Sequence, residues 1–355
     1  MRKIKAILLF LLMSIGSLYA GETYHIIIGS PDKGENLIEK TKKVTYSYNL
    51  KADTPINIRN HYGDVKVKFW KSKSVKVDIQ ITANAPSEER VKSFLDIVEI
   101  KSNDEDGLIS FETDLHCLES DFKNNISKGE NDEDKNFLRV DYLVYMPEGH
   151  NLTVNNSNGV VYIPEFTAVL NITQEYGDFY ADHLSNNQSK IEVNFGKAFI
   201  KSMKGGELSS TQTKLVIDKA ENLKMTNSCG KIQVLEANNI NLKASYTKGY
   251  IGKINQSCKL NVNYSKEFTL GEIMDEVDQL EIESSHTNLR LPVCTNSQYY
   301  ILADTKHTDL VMKDKPKVQM VSSVNNTPVN ISEASSKQNS TKVILTSRYG
   351  KVEVK

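Results

Sequence analysis

Asn60–Val67 reads NHYGDVKV, and the phrase returns as EYGDFYA at Glu175–Ala181 and RYGKVEV at Arg348–Val354. Weaker copies stand between them: NFGKAFI from Asn194, SCGKIQV from Ser228, SHTNLRL from Ser285 and KHTDLVM from Lys306. Self-similarity at a fixed period is the mark of a repeat architecture. With the residue before the glycine, or before its substitute, as the anchor, the column runs Asn158, Tyr176, Phe195, Gln212, Cys229, Tyr246, Tyr264, His286 and His307. The intervals are 18, 19, 17, 17, 17, 18, 22 and 21 residues, and Tyr349 restarts the pattern after a longer gap.

Around each anchor the apolar residues alternate with period two. Leu170 and Ile172 precede Tyr176, and Leu223 and Met225 precede Cys229. Beyond the anchor, apolar residues recur three and five positions on, as at Ile232 and Val234, Leu289 and Leu291, Leu310 and Met312, and Val352 and Val354. Alternation of this kind describes half-buried strands. The change of offset at the anchor marks a corner, where Gly63, Gly177, Gly196, Gly230 and Gly350 are expected to take positive φ. Each unit is then two short strands bent around a corner.

About ten such units, stacked at about 4.8 Å each, predict a β-solenoid, a parallel β-helix-like rod roughly 50 Å long. Antiparallel hairpins in a sandwich or meander are the alternative, because a YGDV turn also suits a hairpin.

The chain before the repeats reads differently. Tyr24–Ile28, Val44–Leu50, Val65–Trp70 and Val75–Thr82 have the composition of strands. Pro86-Ser87-Glu88-Glu89 opens a helix over about 87–97, with Ser87 as N-cap and an apolar face of Val91, Phe94, Leu95 and Val98, the last of which could equally open the following strand. NDEDG at Asn103–Gly107 predicts a turn, and Phe137–Met146 a further strand. The expected organisation is a signal peptide at 1–20, a β-rich region with one helix at 21–148, and repeats at 149–355. Polar loops are expected near 119–136 and 322–341.

The signal peptide follows from Arg2, Lys3 and Lys5 ahead of the apolar run Ala6–Leu12, with a small residue at Ala20. That run is too short to span a bilayer, and no later stretch is long enough. Export to the periplasm or surface of a Gram-negative cell is the expectation. Residues 21–355 number 335, more than one compact core of about 250–300 residues holds, which calls for two domains or an elongated repeat.

Lys+Arg total 44 against 45 Asp+Glu, a net charge of −1 that supplies no broad basic field for nucleic acid. The four cysteines, Cys117, Cys229, Cys258 and Cys294, show no CxxC or other metal spacing, and an exported setting permits a disulfide. Buried free thiols are the favoured reading, Cys229 among them.

Export signal, NHYGDVKVKFW at Asn60–Trp70, VKVDIQITANAPSEERVKSFLDIVEI at Val75–Ile100 and VDYLVYMPEGHNLTV at Val140–Val154 occur in one order. The combination resembles the putative adhesin family of bacterial envelope proteins over most of the chain. That resemblance implies a parallel β-helix-like fold and an envelope location, and it carries no catalytic residues. Gln212-Thr213 and His286-Thr287 depart from the repeat at its glycine position.

Few side chains point to chemistry. The aromatic anchors Tyr62, Tyr176, Phe195, Tyr246, Tyr264 and Tyr349 could stack as a ladder that binds sugar rings or a peptide. Their parity, shared with the inward aliphatics, favours corner packing instead. His286 and His307, as successive anchors, would lie near one another, but two imidazoles make a poor zinc site. Asp104, Asp106 and Gly107 recover only part of a calcium loop, and Asn131–Asp134 reads as a solvated acidic loop.

Asp64, Asp178 and Asp309 follow corners but are interspersed with Lys197, Lys231 and Lys351, which is poor material for the paired carboxylates of glycan cleavage. No catalytic motif, cofactor or metal site is expected. Lys197, Lys231 and Lys351, each just past its corner glycine, are the candidate partner-binding residues, as a spaced basic row facing an anionic glycan. The functional expectation is adhesin-like binding of an envelope or extracellular protein or polysaccharide. A periplasmic scaffold or envelope-stress accessory protein is one alternative, and a carbohydrate-active β-helix enzyme the other.

Overall fold

The computed structural model describes residues 25–28, 37–116, 137–277, 279–292, 298–312, 320–322 and 340–355. The expected signal peptide, Cys117, Cys294, Asn131–Asp134 and most of the two expected loops lie outside them. The described chain is mainly β. Its 23 strands share one hydrogen-bonded sheet, and the only helix among the described residues is Glu88–Asp96. No helix among these residues is long and apolar enough to cross a membrane.

The helix forms where its start signals lie. The Ser87 hydroxyl accepts from the Arg90 N–H, Glu88 and Glu89 occupy the first turn, and Val91 and Phe94 are buried. Val98, which the spacing also allowed to the following strand, begins the strand Val98–Glu105. That strand turns back at Asp106-Gly107, with φ of 55° and 74°, into Leu108–Leu115. The NDEDG motif is therefore a tight hairpin turn, which explains its Asp and Gly without a cation. Ile38–Asn49, Ser74–Ala85 and Phe137–Met146 form an antiparallel layer beside it.

Ile56–His61 runs parallel to Leu152–Ser157, and Val65–Phe69 pairs parallel to Phe137–Met146 on one side and Val160–Ile163 on the other. The first YGDV phrase is thus already a rung of the ladder, which continues across residue 148. From Leu152 onward the repeats pair in parallel, each residue with its equivalent one unit later. Leu215 pairs with Ile232, and Ile217 with Val234, which in turn pairs with Ile251. Antiparallel hairpins do not occur among these rungs.

Like residues therefore stack on like residues in the core. Ile200, Ile217, Val234, Ile251 and Leu270 line one inner wall, and Leu208, Met225, Leu242, Leu260 and Ile282 the other, all buried. The bulk of this apolar burial supplies the stability of the stack.

One connection breaks chain order. Ser340–Val354 pairs with Gln279–Ser285 and Asn288–Leu291 on one flank and with Gln298–Met312 on the other. The last phrase, RYGKVEV, is inserted before KHTDLVM in space rather than added after it.

Candidate binding surface

At every corner the left-handed residue is the anchor, not the glycine. Tyr62, Asn158, Tyr176, Phe195, Gln212, Cys229, Tyr246, Tyr264, His286, His307 and Tyr349 all have φ between 49° and 61°. The corner glycines were expected to fill this role, and their actual one is different. A Cβ on Gly177 would lie 1.8 Å from the Gly159 carbonyl oxygen, and one on Gly196 equally close to that of Gly177. Glycine is required there because backbones of adjacent rungs nearly touch.

Where the glycine is replaced, a small hydroxyl residue bonds inward. Thr213 Oγ1 donates to the Val193 carbonyl (2.9 Å) and Thr287 Oγ1 to that of Val262 (3.1 Å). These threonines are buried, and they satisfy polar groups that the corner would otherwise orphan.

The left-handed turn also redirects the anchor side chain. Period-two counting placed these rings inward, yet Tyr176, Phe195, Tyr246, Tyr264 and Tyr349 are between 42% and 60% exposed. Corner packing in the core is therefore corrected to an external ladder for these five, while Tyr62 is half-buried and packs against the core as expected. Tyr176 stacks on Phe195 at 4.8 Å, and Tyr246 on Tyr264 at 5.2 Å. The second stack continues through His286, Tyr349 and His307 at 4.9–5.0 Å. Tyr349 thus sits between His286 and His307, which are not adjacent as expected. Because the rings are face to face, their faces are used by one another and mainly edges meet solvent, which weakens the sugar-stacking idea.

Gln212 and Cys229 interrupt this ladder. Cys229 is exposed, contrary to the buried thiol expected there, because it too occupies the outward left-handed position. Cys258 is a free, buried thiol whose pKa burial pushes up.

Two residues past the anchors runs the lysine column. Lys197 pairs in register with Lys214, Lys214 with Lys231, and Lys231 with Lys248. The sequence reading found Lys197 and Lys231 and missed Lys214 and Lys248, which follow Thr213 and Thr247 instead of glycine. Lys351 does not belong to this run. Its register partners are Asn288 and Asp309, and it bonds Glu353 at 2.5 Å. Glu353 is held down at about 2 by hydrogen bonds from Lys351 and Lys355.

Two further positions along, Tyr162, Tyr180 and Phe199 form a third stack with neighbouring centroids 5.3 Å apart. They line an open groove of about 350 Å³ with Lys66, Asp182 and Lys201. The Tyr180 phenol donates to Asp178 (3.2 Å), and partial burial together with that carboxylate raises its pKa. Anchor-based counting passed over this ladder because it lies four residues beyond the corner.

The acidic candidates are tied to structural tasks. Asp64 accepts from the Val160 N–H (2.9 Å) and pairs with Arg139, which also binds Asp141 at 2.8 Å. Asp178 accepts from the Lys197 N–H (3.0 Å). Asp309 is exposed on the strand Gln298–Met312, in register with Lys351. A separate cluster joins Glu99, Asp114 and His116 on the exposed hairpin, where Lys101 already bonds Asp114 and lowers its pKa.

No protein-family model and no curated protein matches the sequence. Solved structures do match. A putative cell adhesion protein of Clostridium sporogenes is 13% identical over 88% of this chain and 98% of its own, with a TM-score of 0.21. A putative lipid binding protein of Parabacteroides distasonis is 10% identical over 88% and 96%, with a TM-score of 0.31. A putative adhesin of the same organism is 8% identical over 88% of this chain and 97% of its own, also with a TM-score of 0.31.

Proposed function

We propose that the chain is an exported, non-enzymatic β-solenoid that binds an envelope or extracellular partner through its exposed corner and the adjoining face. The observation that carries this reading is the repetition of exposed side chains in register. Ring and lysine columns recur rung after rung on the outside of a stack whose buried core does not need them. Parallel pairing of each unit with the next supports the solenoid, and the leader-like residues 1–20 support export.

A carbohydrate-active enzyme is the less favoured reading. Asp64 and Asp141 are both engaged by Arg139, and in the Glu99–Asp114 pair Lys101 bonds Asp114, which suits neither a general acid nor a general base.

Beads coated with the purified protein should capture cells or envelope fragments, and loss of capture on heating would tie it to the fold. Failure to retain any envelope material would reject the binding role. New reducing ends after incubation with envelope polysaccharides would favour the enzyme instead. Protease shaving of intact cells separates a surface location from a periplasmic one.

A further inference from the structure

We propose that Lys197, Lys214, Lys231 and Lys248 form a binding column for a carboxylated polysaccharide lying along the stack, an inference that rests on the binding role above. All four side chains are exposed, and each is the in-register neighbour of the next. Neighbouring strands are about 4.8 Å apart, so the four spread over roughly 14 Å.

Several other columns alternate sign, although Glu99 faces Asp114 and Lys306 faces Arg348 in register. Glu207 stands between Lys190 and Lys224, Glu236 between Lys219 and Lys253, and Lys259 faces Glu281. Like charges directly opposite one another destabilise a sheet. This column, with four like charges in succession, departs further from that rule than either isolated pair.

Its ends are capped, since Lys197 lies 3.9 Å from Asp178 and Lys248 2.7 Å from Glu267. Lys248 holds the Glu267 carboxyl below its usual range. Lys214 and Lys231, in the middle, have no ion-pair partner among the described residues. Two positively charged groups are left to meet an external anion.

The flanks favour a chain of sugars. On one side Gln212 and Cys229 open a gap in the corner ladder, bordered by Phe195 and Tyr246. On the other stand Phe199, Val216, Gln233 and Tyr250, again in register. Amide groups and ring edges beside ammonium donors suit hydroxyls and carboxylates together. A polymer with one carboxylate per sugar ring offers one anion per rung. The chain's net charge of −1 makes this a local feature and not a field for nucleic acid.

Polygalacturonate is the probe, with poly-glutamate as a non-sugar polyanion, measured against the full exported chain by calorimetry. The Lys214→Glu/Lys231→Glu variant should bind polygalacturonate at least about 10-fold more weakly at low salt, and high salt should abolish binding by the wild type. Lys204→Glu/Lys243→Glu, with the same charge change at other exposed positions, should bind as the wild type does. Melting of the first variant should not fall, because two of the column's three like-charge contacts become opposite in sign and only the central one stays like-charged. No polygalacturonate binding by the wild type, equal binding by both variants, or equally tight poly-glutamate binding would each overturn the proposal. Cell capture by coated beads that survives the Lys214/Lys231 change would overturn this column while leaving the broader binding role standing.

Discussion

Gly177 lies so close beneath the Gly159 carbonyl that an added Cβ would sit 1.8 Å from its oxygen. Neither backbone can yield alone, because each is fixed by the rungs above and below. Gly177→Ala should therefore destabilise by several kcal/mol, about 3 or more. Gly107 has φ of 74° but nothing within 4 Å of an added Cβ, so Gly107→Ala should cost only about 1 kcal/mol. Urea unfolding of the two variants checks this; similar losses would contradict the close approach.

Tyr264 stacks between Tyr246 and His286 while holding φ of 53°. Tyr264→Ala removes the ring but keeps the left-handed strain, whereas Tyr264→Gly removes both. Glycine should thus be the better-tolerated residue by about 1 kcal/mol, the reverse of the usual order in a strand. Melting temperatures of the pair test the sign.

Val234 is fully buried between Ile217 and Ile251. Val234→Asp places an uncompensated carboxylate among aliphatics and should cost about 3 kcal/mol or more at neutral pH. A variant that melts like the wild type would show that the inward phase is wrong.

The two described cysteines should differ sharply. A water-soluble maleimide should label Cys229 within minutes in the native protein, and Cys258 only after denaturation, as read by peptide mapping. Rapid native labelling of Cys258 would contradict its burial.

Much of this fold was legible because repetition and period-two alternation are properties of the sequence itself. Spacings of 17–19 residues located the rungs, and Ile232 and Val234 were placed inward, where they are. The failures have a common source in the corner. A left-handed residue breaks the alternation for one position, so counting parity through Tyr176 and Cys229 turned exposed side chains inward. Lys214 and Lys248 were lost because a search keyed on glycine does not see Thr213 or Thr247 doing a related job. Chain order could not reveal that Tyr349 slips between His286 and His307, since register across a long connection is decided by pairing and not by spacing.

The parallel, in-register stacking of successive units is tested most directly by cross-linking Thr226 and Lys243. They are exposed Cα partners on the neighbouring strands Lys214–Ser228 and Lys231–Ser245. Strands about 4.8 Å apart fall within the Cα separation a disulfide accepts. The Thr226→Cys/Lys243→Cys protein, mildly oxidised while folded, should form a 226–243 disulfide on peptide mapping, with no fall in melting temperature. Two thiols that both react with maleimide yet never join would contradict the stacked arrangement.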